Sequence, residues 1–365
     1  MTDRSPDRPD PSAPRVLVLD LNSSARVWAL PPEGEARVRA AAPPDWEVRV
    51  VAAPTVSDGD GGRAPSDEAM AAVRDAEVYF GFGLHPMLIE AAPRLRWAQS
   101  AAAGVRSLLS PQLLARPIVL TNAAGTMAVP MAEYALAGAL HFLRGFDVAL
   151  ARQRAAAWDR GPWVDDDGGG AAANGFRGPV EVAECRVLVV GVRGIGAAVA
   201  ERFAALGASV VGVRRRPGAA APPGFARIVG EDALDAELAA ADVIVLAAPS
   251  TPATERLLDA RRLGLLRPSA IVVNVGRGAL LDEGALAAAL AAGRLRGAVL
   301  DVMDVEPLPP ESPLWRLPNV LLTPHVSATS AGGFWPRMLD LFLDNWARWR
   351  GGEPLRNVVD PAAGY

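Results

Sequence analysis

The sequence predicts an α/β protein with two parallel sheets, and three observations support this prediction. Short apolar segments alternate with helical segments in both halves of the chain, which is typical of strands that pair in parallel. The length of 365 residues fits two domains at roughly 150 residues each. A glycine-rich turn, Gly191-Val-Arg-Gly-Ile-Gly196, joins an apolar strand to a helix in the second half. Two Rossmann-like or flavodoxin-like domains are therefore expected.

Composition narrows the classes of protein to which the chain can belong. Hydrophobic residues make up 50% and charged residues 21% of the chain, a balance typical of globular proteins rather than of disordered ones. No stretch of about 18 residues lacks charged or strongly polar side chains, so no membrane-spanning helix is expected. The net charge of −4 argues against a nucleic-acid partner. A single cysteine and three histidines argue against a disulfide framework and a metal site, and the cytoplasm is the expected compartment.

The first third of the chain predicts the elements of one sheet. Residues 1–14 are polar and rich in proline and aspartate, which predicts a disordered tail rather than a secretory signal. Apolar runs then predict buried strands at 15–21, 47–52, 76–81, 95–100 and 118–121. Helical segments fit between these strands, for example at 66–75 and 86–92.

The remainder predicts a second and longer α/β unit. A helical pattern runs from about 129 to 158, and a loop rich in glycine and aspartate follows at 165–175. Apolar runs predict further strands at 187–191, 209–213, 243–247, 270–274, 297–301 and 320–323. Helices fit between them, and an amphipathic helix is predicted at 334–350. This alternation is typical of a doubly wound, Rossmann-like domain.

The turn that begins at Gly191 has the context of a dinucleotide-binding fingerprint, G-x-G-x-x-G. Arg193 replaces the second glycine, which normally lets the backbone approach the pyrophosphate. The guanidinium of Arg193 could bind a phosphate, and the amides that open the following helix also favour an anion. The residues predicted to bind a dinucleotide here are Gly191, Arg193, Gly194, Ile195 and Gly196. A tight turn without a ligand is the alternative.

The end of the next predicted strand bears on the choice between NAD and NADP. An NAD site usually places a carboxylate about 20 residues beyond the fingerprint, where it binds the ribose 2′-hydroxyl. Arg214 occupies this place, and Arg215 follows it. Because cations suit a 2′-phosphate, both are predicted to contact the cofactor, and NADP is favoured over NAD. A solvated basic turn is the alternative interpretation.

Three ionisable residues, Arg277, Glu306 and His325, each follow a different predicted strand. Since the carboxyl ends of parallel strands meet at one edge of a sheet, the three are expected at one cleft. Arginine can hold a carboxylate through two parallel hydrogen bonds, and histidine can carry a proton near neutral pH. Glutamate can orient an imidazole ring and stabilise its charged form. Each residue alone has a structural interpretation, but the three together predict a catalytic set.

These residues lie in segments that resemble the D-isomer-specific 2-hydroxyacid dehydrogenase family. The segments that carry the resemblance to its second domain are 189–216, 274–283, 300–307 and 322–327. In addition, 96–105 resembles the substrate loop of the family, and 121–134 resembles the start of its long inter-domain helix. The resemblance extends over about 16–360, which is nearly the whole chain.

The resemblance implies an oxidoreductase that moves a hydride between a nicotinamide cofactor and the keto carbon of a 2-oxo acid. It implies that His325 is the general acid and base and that Glu306 is the hydrogen-bond partner of its ring. Arg277 would bind the carboxylate of the substrate and polarise its carbonyl. Asp301 resembles the family residue that holds the nicotinamide carboxamide.

The resemblance also implies a discontinuous domain organisation. Residues 15–124 and 326–365 would form the substrate domain, and the dinucleotide-binding domain, 125–325, would be inserted into it. In the substrate domain, the backbone amides of Ala103 and Gly104 would bind the carboxylate of the substrate. The long helix after Val129 is the usual dimer element of the family, so a homodimer is expected.

The leading hypothesis is an NADP-dependent reductase of small 2-oxo acids such as glyoxylate or hydroxypyruvate. A phosphoglycerate dehydrogenase is the alternative among enzymes, although such a substrate would favour more cations around the cleft. A dinucleotide-binding regulator without turnover is the alternative from another class. Arg193 favours the regulator, whereas the set of Arg277, Glu306 and His325 argues against it, because a pure binding protein needs no proton carrier.

Overall fold

The chain divides into two compact units in the computed structural model, which describes residues 15–54, 64–164, 175–215, 218 and 220–362. Unit 1 comprises the chain up to Thr126 and again from Ser330, and unit 2 comprises Met127–Thr329. The predicted tail at 1–14 and nearly all of the predicted loop at 165–175 lie outside the described residues. Which unit binds substrate and which binds cofactor stays a prediction at this point.

Unit 1 is built on a parallel sheet. Its strands are β1 (Arg15–Asp20), β2 (Trp46–Val50), β3 (Ala76–Gly81), β4 (Trp97–Ser100) and β5 (Val119–Thr121). They pair in the order β2-β1-β3-β4-β5. The helices between them are α1 (Pro32–Ala41), α2 (Asp67–Ala72), α3 (Pro86–Ala91) and α4 (Pro111–Leu114). This strand order is that of a flavodoxin-like sheet, and β1 and β3 are apolar along most of their length because helices cover both faces.

Unit 2 is built on a longer parallel sheet. Its helices are α5 (Ala128–Leu143), α6 (Phe146–Arg154), α7 (Gly161–Val164), α8 (Ile195–Ala205), α9 (Leu234–Ala240), α10 (Ala260–Leu263) and α11 (Glu283–Ala291). Its strands are β6 (Arg186–Val190), β7 (Ser209–Val213), β8 (Arg227–Val229), β9 (Val243–Leu246), β10 (Ile271–Asn274), β11 (Gly297–Leu300) and β12 (Val320–Leu322). The order β12-β11-β10-β9-β6-β7-β8 is that of a Rossmann sheet with one added strand.

The last helix, α12 (Phe334–Gly351), belongs to unit 1 and packs an aromatic face on its sheet. The ring of Phe342 stacks on Phe80 of β3 with centroids 4.3 Å apart. The indole of Trp346 meets Trp46 edge to face at 4.6 Å. Burial of such large apolar side chains is the main stabilising contribution to a core of this kind.

The predicted fold class is confirmed, and each predicted strand is found within about two residues of its expected position. The sequence analysis missed β8, a short strand at the edge of the sheet whose first residue, Arg227, is exposed. The single cysteine of the chain, Cys185, is buried, and burial raises the pKa of its thiol to about 11.

The prediction of one continuous helix over 129–158 was wrong. Helix α5 stops at Leu143 because Gly145 adopts a left-handed conformation with φ 72°. The buried guanidinium of Arg296 stabilises this break: it donates to the carbonyl of Phe142 at 2.9 Å and to the Asp147 carboxylate at 2.7 Å and 2.8 Å. Because Phe142 lies in the last turn of α5 and Asp147 in the first turn of α6, one arginine holds both helix termini.

Candidate active site

His325 and Glu306 are in direct contact at the carboxyl edge of the sheet of unit 2. Glu306 lies in the loop after β11, and His325 lies in the turn after β12. Nδ1 of His325 lies 2.8 Å from Oε2 of Glu306, and 47% and 38% of the two side chains are exposed. With Nδ1 against a carboxylate, Nε2 is the ring nitrogen that can exchange a proton with a bound molecule.

The turn that carries His325 is organised by the carboxylate of Asp301, which is only 1% exposed. Its Oδ1 accepts hydrogen bonds from the Thr323 hydroxyl and from the amide of Val326 at 2.8 Å. Its Oδ2 accepts from the amide of Ser327 at 2.9 Å. His325 has φ 55°, a left-handed conformation that side chains rarely adopt. Asp301 therefore holds a strained turn and thereby sets the direction of the imidazole.

Two further polar side chains surround this turn. The hydroxyl of Tyr134 on α5 lies 2.6 Å from that of Thr323, and burial raises the pKa of Tyr134 to about 12, so it stays protonated. Within the part of the chain that the structure describes, the buried hydroxyl of Ser327 has no hydrogen-bond partner. An unsatisfied buried hydroxyl costs about 1–3 kcal/mol. A polar group of a bound molecule beside Asp301 would remove this cost.

Arg277 stands on a turn after β10 that the buried side chain of Asn274 holds in place. The amide oxygen of Asn274 accepts from the amide of Gly276 at 3.1 Å, and its nitrogen donates to the carbonyl of Arg277 at 3.0 Å. The exposed guanidinium of Arg277 uses one nitrogen to donate to the Gly276 carbonyl at 2.7 Å. A guanidinium carries five N–H donors, so most of them remain for an anionic ligand.

Gly278 links the Arg277 turn to the loop that carries Glu306. A Cβ at Gly278 would lie 1.9 Å from the carbonyl carbon of Met303 and 2.3 Å from the amide nitrogen of Asp304, so no side chain fits here. In the same loop, the amide of Met303 donates to Oε1 of Glu306 at 2.9 Å. The structure thus brings the Arg277 turn, Glu306 and His325 together within unit 2.

The predicted substrate amides, those of Ala103 and Gly104, lie in unit 1 after β4. The hydroxyl of Ser100 accepts from the amide of Ala102 at 3.1 Å, and Asn122 donates to the carbonyl of Ala103 at 2.9 Å. These contacts fix the loop from both sides. Among the described residues, neither the amide of Ala103 nor that of Gly104 donates a hydrogen bond to the backbone. Both amides therefore remain predicted donors for a carboxylate.

The glycine-rich turn after β6 has room for side chains at some positions only. A Cβ at Gly196 would lie 1.7 Å from the carbonyl oxygen of Gly191, and one at Gly191 would lie 2.7 Å from the carbonyl oxygen of Ala247. Both glycines are therefore required for the close approach of strand and helix. This is the packing role that the first and third glycines of a dinucleotide fingerprint have.

The middle of the turn differs from the usual fingerprint. Arg193 is exposed, and the positive φ of 48° falls on Gly194, the residue before α8 begins at Ile195. A Cβ at Gly194 would meet no atom within 4 Å, so the space in front of the first helical amides is open. After β7, Arg214 is half-buried and Arg215 is exposed. The N-terminus of α8 is therefore accessible. Basic residues lie on the connection before it, at Arg193, and on the connection after β7, at Arg214 and Arg215.

Sequence reasoning missed four residues that support the site: Ser327, Thr323, Asn274 and Tyr134. The first two flank His325 in the sequence Thr323-Pro-His-Val-Ser327, so polar residues on both sides of a histidine were a usable signal. Asn274 ends a buried strand, where an amide side chain is rare unless it has hydrogen-bond partners. The contact of Tyr134 joins residues 189 positions apart and has no local signal.

The described ranges contain no group of three His, Cys, Asp or Glu residues that could hold a metal ion. None of their helices is long and apolar enough to cross a membrane.

Comparison with known proteins places the chain in a family. The sequence model described as "D-isomer specific 2-hydroxyacid dehydrogenase, NAD binding domain" matches residues 136–327. A glyoxylate/hydroxypyruvate reductase A of Salmonella newport is 33% identical over 287 residues, which is 77% of this chain and 85% of that protein.

Solved structures agree with this relationship. A D-isomer specific 2-hydroxyacid dehydrogenase from Xanthobacter autotrophicus, in complex with NADPH and MES, has a TM-score of 0.76 at 30% identity, covering 97% of this chain and 100% of that one. The NADPH-dependent glyoxylate/hydroxypyruvate reductase of Sinorhizobium meliloti, in complex with NADP and sulfate, has a TM-score of 0.73 at 28% identity, covering 96% and 100%. The resemblance noted in the sequence is thereby confirmed. The chain belongs to the D-isomer specific 2-hydroxyacid dehydrogenase family and is an NAD(P)-dependent oxidoreductase of 2-hydroxy acids.

Proposed function

We propose that this enzyme is an NADPH-dependent reductase of small 2-oxo acids, with glyoxylate and hydroxypyruvate as its substrate class. The observation that carries this proposal is the 2.8 Å contact between His325 and Glu306, with the turn of Arg277 packed beside it. This arrangement supplies a proton carrier and an anion-binding cation, the two groups that reduction of a 2-oxo acid requires. The names of the Salmonella and Sinorhizobium relatives support the choice of substrate.

The residues of unit 2 fit a dinucleotide. The open space in front of α8 can admit a pyrophosphate, and the unsatisfied hydroxyl of Ser327 beside Asp301 suits a carboxamide. When bound, the reduced nicotinamide supplies the hydride for the keto carbon. The residues proposed to hold the cofactor are Gly191, Arg193, Gly194, Ile195 and Gly196 at the pyrophosphate, Arg214 and Arg215 at the 2′-phosphate, and Asp301 and Ser327 at the carboxamide.

Residues of the chain supply the proton for the carbonyl oxygen and bind the negatively charged carboxylate of the substrate. Glu306 holds Nδ1 of His325, so Nε2 gives a proton to the carbonyl oxygen during reduction and takes it back during oxidation. Arg277 binds the carboxylate through parallel hydrogen bonds and polarises the neighbouring carbonyl. The family resemblance also implies carboxylate donors in unit 1, the backbone amides of Ala103 and Gly104, neither of which donates to a backbone carbonyl among the described residues.

The purified enzyme is expected to consume NADPH with glyoxylate or hydroxypyruvate and to prefer NADPH over NADH. Replacing Arg214 and Arg215 together by Ala should raise the KM for NADPH by about tenfold or more, since a hydrogen bond to a charged group contributes about 1.5–3 kcal/mol. The KM for NADH should stay unchanged and serves as the internal control. Initial rates followed by the absorbance of the reduced nicotinamide measure both quantities.

Other outcomes of the same assay would reject parts of the proposal. A preference for NADH would reject the role of Arg214 and Arg215 while keeping the enzyme. Faster oxidation of 3-phosphoglycerate than of glycolate would favour the phosphoglycerate dehydrogenase alternative. Quenching of NADPH fluorescence without turnover of any 2-oxo acid would favour a non-catalytic regulator.

We also propose that the chain forms a homodimer through unit 2. The side chains of Phe146 and Leu150 on α6 are 54% and 42% exposed, and Trp158 beyond this helix is 97% exposed. Phe146 and Leu150 are four residues apart and share a helix face, and clustered exposed apolar side chains are typical of interfaces. Light scattering should give twice the chain mass of 38.1 kDa. The mass of a single chain at micromolar concentration would contradict the dimer.

A further inference from the structure

Glu283, the first residue of α11, reaches the loop that carries Glu306. Its Oε1 accepts a hydrogen bond from the backbone amide of Asp304. The usual task of an acidic residue at this helix terminus is performed by its neighbour, Asp282, which accepts from the amide of Ala285 at 2.9 Å. Glu283 is therefore not needed as the helix cap, and its carboxylate serves the loop.

The loop from Met303 to Glu306 is held from two sides. On one side, the backbone at Gly278 leaves no space for even a Cβ against Met303 and Asp304. On the other side, the carboxylate of Glu283 satisfies the amide of Asp304. Between these contacts, Glu306 accepts from the amide of Met303 and from Nδ1 of His325. Loss of the Glu283 contact would free the middle of the loop on which Glu306 depends.

The electrostatics of this position are unfavourable for a carboxylate. Burial raises the pKa of Glu283, and the nearby negative charges of Asp304 and Glu306 raise it further. The hydrogen bond from the Asp304 amide opposes these effects. The carboxylates of Glu283, Asp304 and Glu306 repel one another, so the negative charge of Glu283 does not stabilise this region. The favourable contribution of Glu283 is its oxygen, which accepts the hydrogen bond from the Asp304 amide.

We propose that Glu283 is a positioning residue for the reaction: by holding the amide of Asp304, it keeps Glu306 in hydrogen-bond contact with His325. It acts without touching the substrate or the cofactor. The inference rests on the proposed function for its kinetic consequences, but the effect of Glu283 on the His325 ring can be measured without turnover.

Two substitutions separate the acceptor from the charge. Glu283→Asp keeps the charge but shortens the side chain by one methylene, which moves the oxygen away from the Asp304 amide. We expect kcat to fall about tenfold to a hundredfold, which is the effect of displacing a catalytic group by up to about 1 Å. Glu283→Gln keeps an oxygen at the same place and should retain the kcat of the parent enzyme. The KM for the 2-oxo acid and the Kd for NADPH should not change in either variant. Glu231→Gln, at an exposed carboxylate elsewhere in unit 2, is the matched control.

Long-range proton–nitrogen NMR of the imidazole rings gives the readout that is independent of turnover. The chain has three histidines, so His325→Asn assigns the signal of His325 directly. At alkaline pH, where the ring is neutral, the proton should reside on Nδ1 in the parent protein and in Glu283→Gln. It should move to Nε2 in Glu283→Asp, because Glu306 no longer accepts from Nδ1.

The outcomes separate this inference from the proposed function. A parent enzyme without turnover but with the expected change of tautomer would reject the proposed function and keep the role of Glu283. An Nδ1 proton retained in Glu283→Asp, or equal losses of kcat in the Asp and Gln variants, would overturn the role of Glu283. A change in melting temperature alone, with kcat and tautomer unchanged, would assign Glu283 to the stability of the fold only.

Discussion

His325→Asn is expected to lower kcat about a hundredfold to ten-thousandfold, the range that a general acid–base group contributes. Asparagine is the suitable replacement because His325 has φ 55° and asparagine tolerates this left-handed conformation better than alanine does. The Kd for NADPH should stay close to that of the parent enzyme, since the imidazole acts on the substrate oxygen. Steady-state rates and NADPH fluorescence titration measure the two quantities.

His85→Asn is the matched control for this variant. The ring of His85 accepts from the amide of Met87 at the start of α3, and asparagine serves as well in this capping position. The control should therefore keep full activity. Turnover in His325→Asn within a few-fold of the parent rate, or equal losses in both variants, would show that His325 is not the proton carrier.

The alternation of apolar runs predicted every strand described in the two sheets except β8. Strands buried on both faces appear in the sequence as continuous apolar segments, so their positions could be predicted from the local pattern of apolar residues. The placement of Arg277, Glu306 and His325 after three strands could be predicted for the same reason. Parallel strands deliver the residues after their carboxyl ends to one edge, whatever the distance along the chain.

What the sequence did not reveal depends on contacts between distant residues. Gly278 looks like any glycine in a turn until the backbone of Met303 is seen to occupy the place of its Cβ. Glu283 looks like a favourable acid in the first turn of a helix, and its bond to the Asp304 amide crosses 21 residues. The break of the predicted long helix was marked by Gly145, but the role of Arg296 in holding it arises only in the folded unit.

The glycine-rich turn shows how a departure from a motif can be resolved by backbone conformation. In the sequence, Arg193 replaces a required glycine and suggests a damaged site. In the structure, Arg193 is exposed and Gly194 has the positive φ, so the turn keeps open space before the helix. The backbone conformation that favours glycine lies at Gly194, and Arg193 does not have a positive φ. This observation weakens the main argument for a non-catalytic regulator.

Arg277→Lys is expected to lower kcat/KM for a 2-oxo acid about a hundredfold to a thousandfold, the effect of removing a donor that stabilises charge in the transition state. Lysine keeps the charge but lacks the planar pair of donors that matches a carboxylate. The backbone should be undisturbed, because Asn274 holds the turn through the carbonyl of Arg277 and the amide of Gly276. Arg294→Lys, at an exposed arginine of unit 2, is the control.

The substrate itself can show which group Arg277 recognises. A 2-oxo aldehyde has the same reacting carbonyl as a 2-oxo acid but no carboxylate, so the parent enzyme should strongly prefer the acid. In Arg277→Lys the preference for the acid should be smaller, because only the 2-oxo acid has a carboxylate and therefore only its kcat/KM should fall. An equal loss for both substrates would instead assign Arg277 to polarising the carbonyl. An unchanged rate with the acid would show that Arg277 does not bind the carboxylate of the substrate.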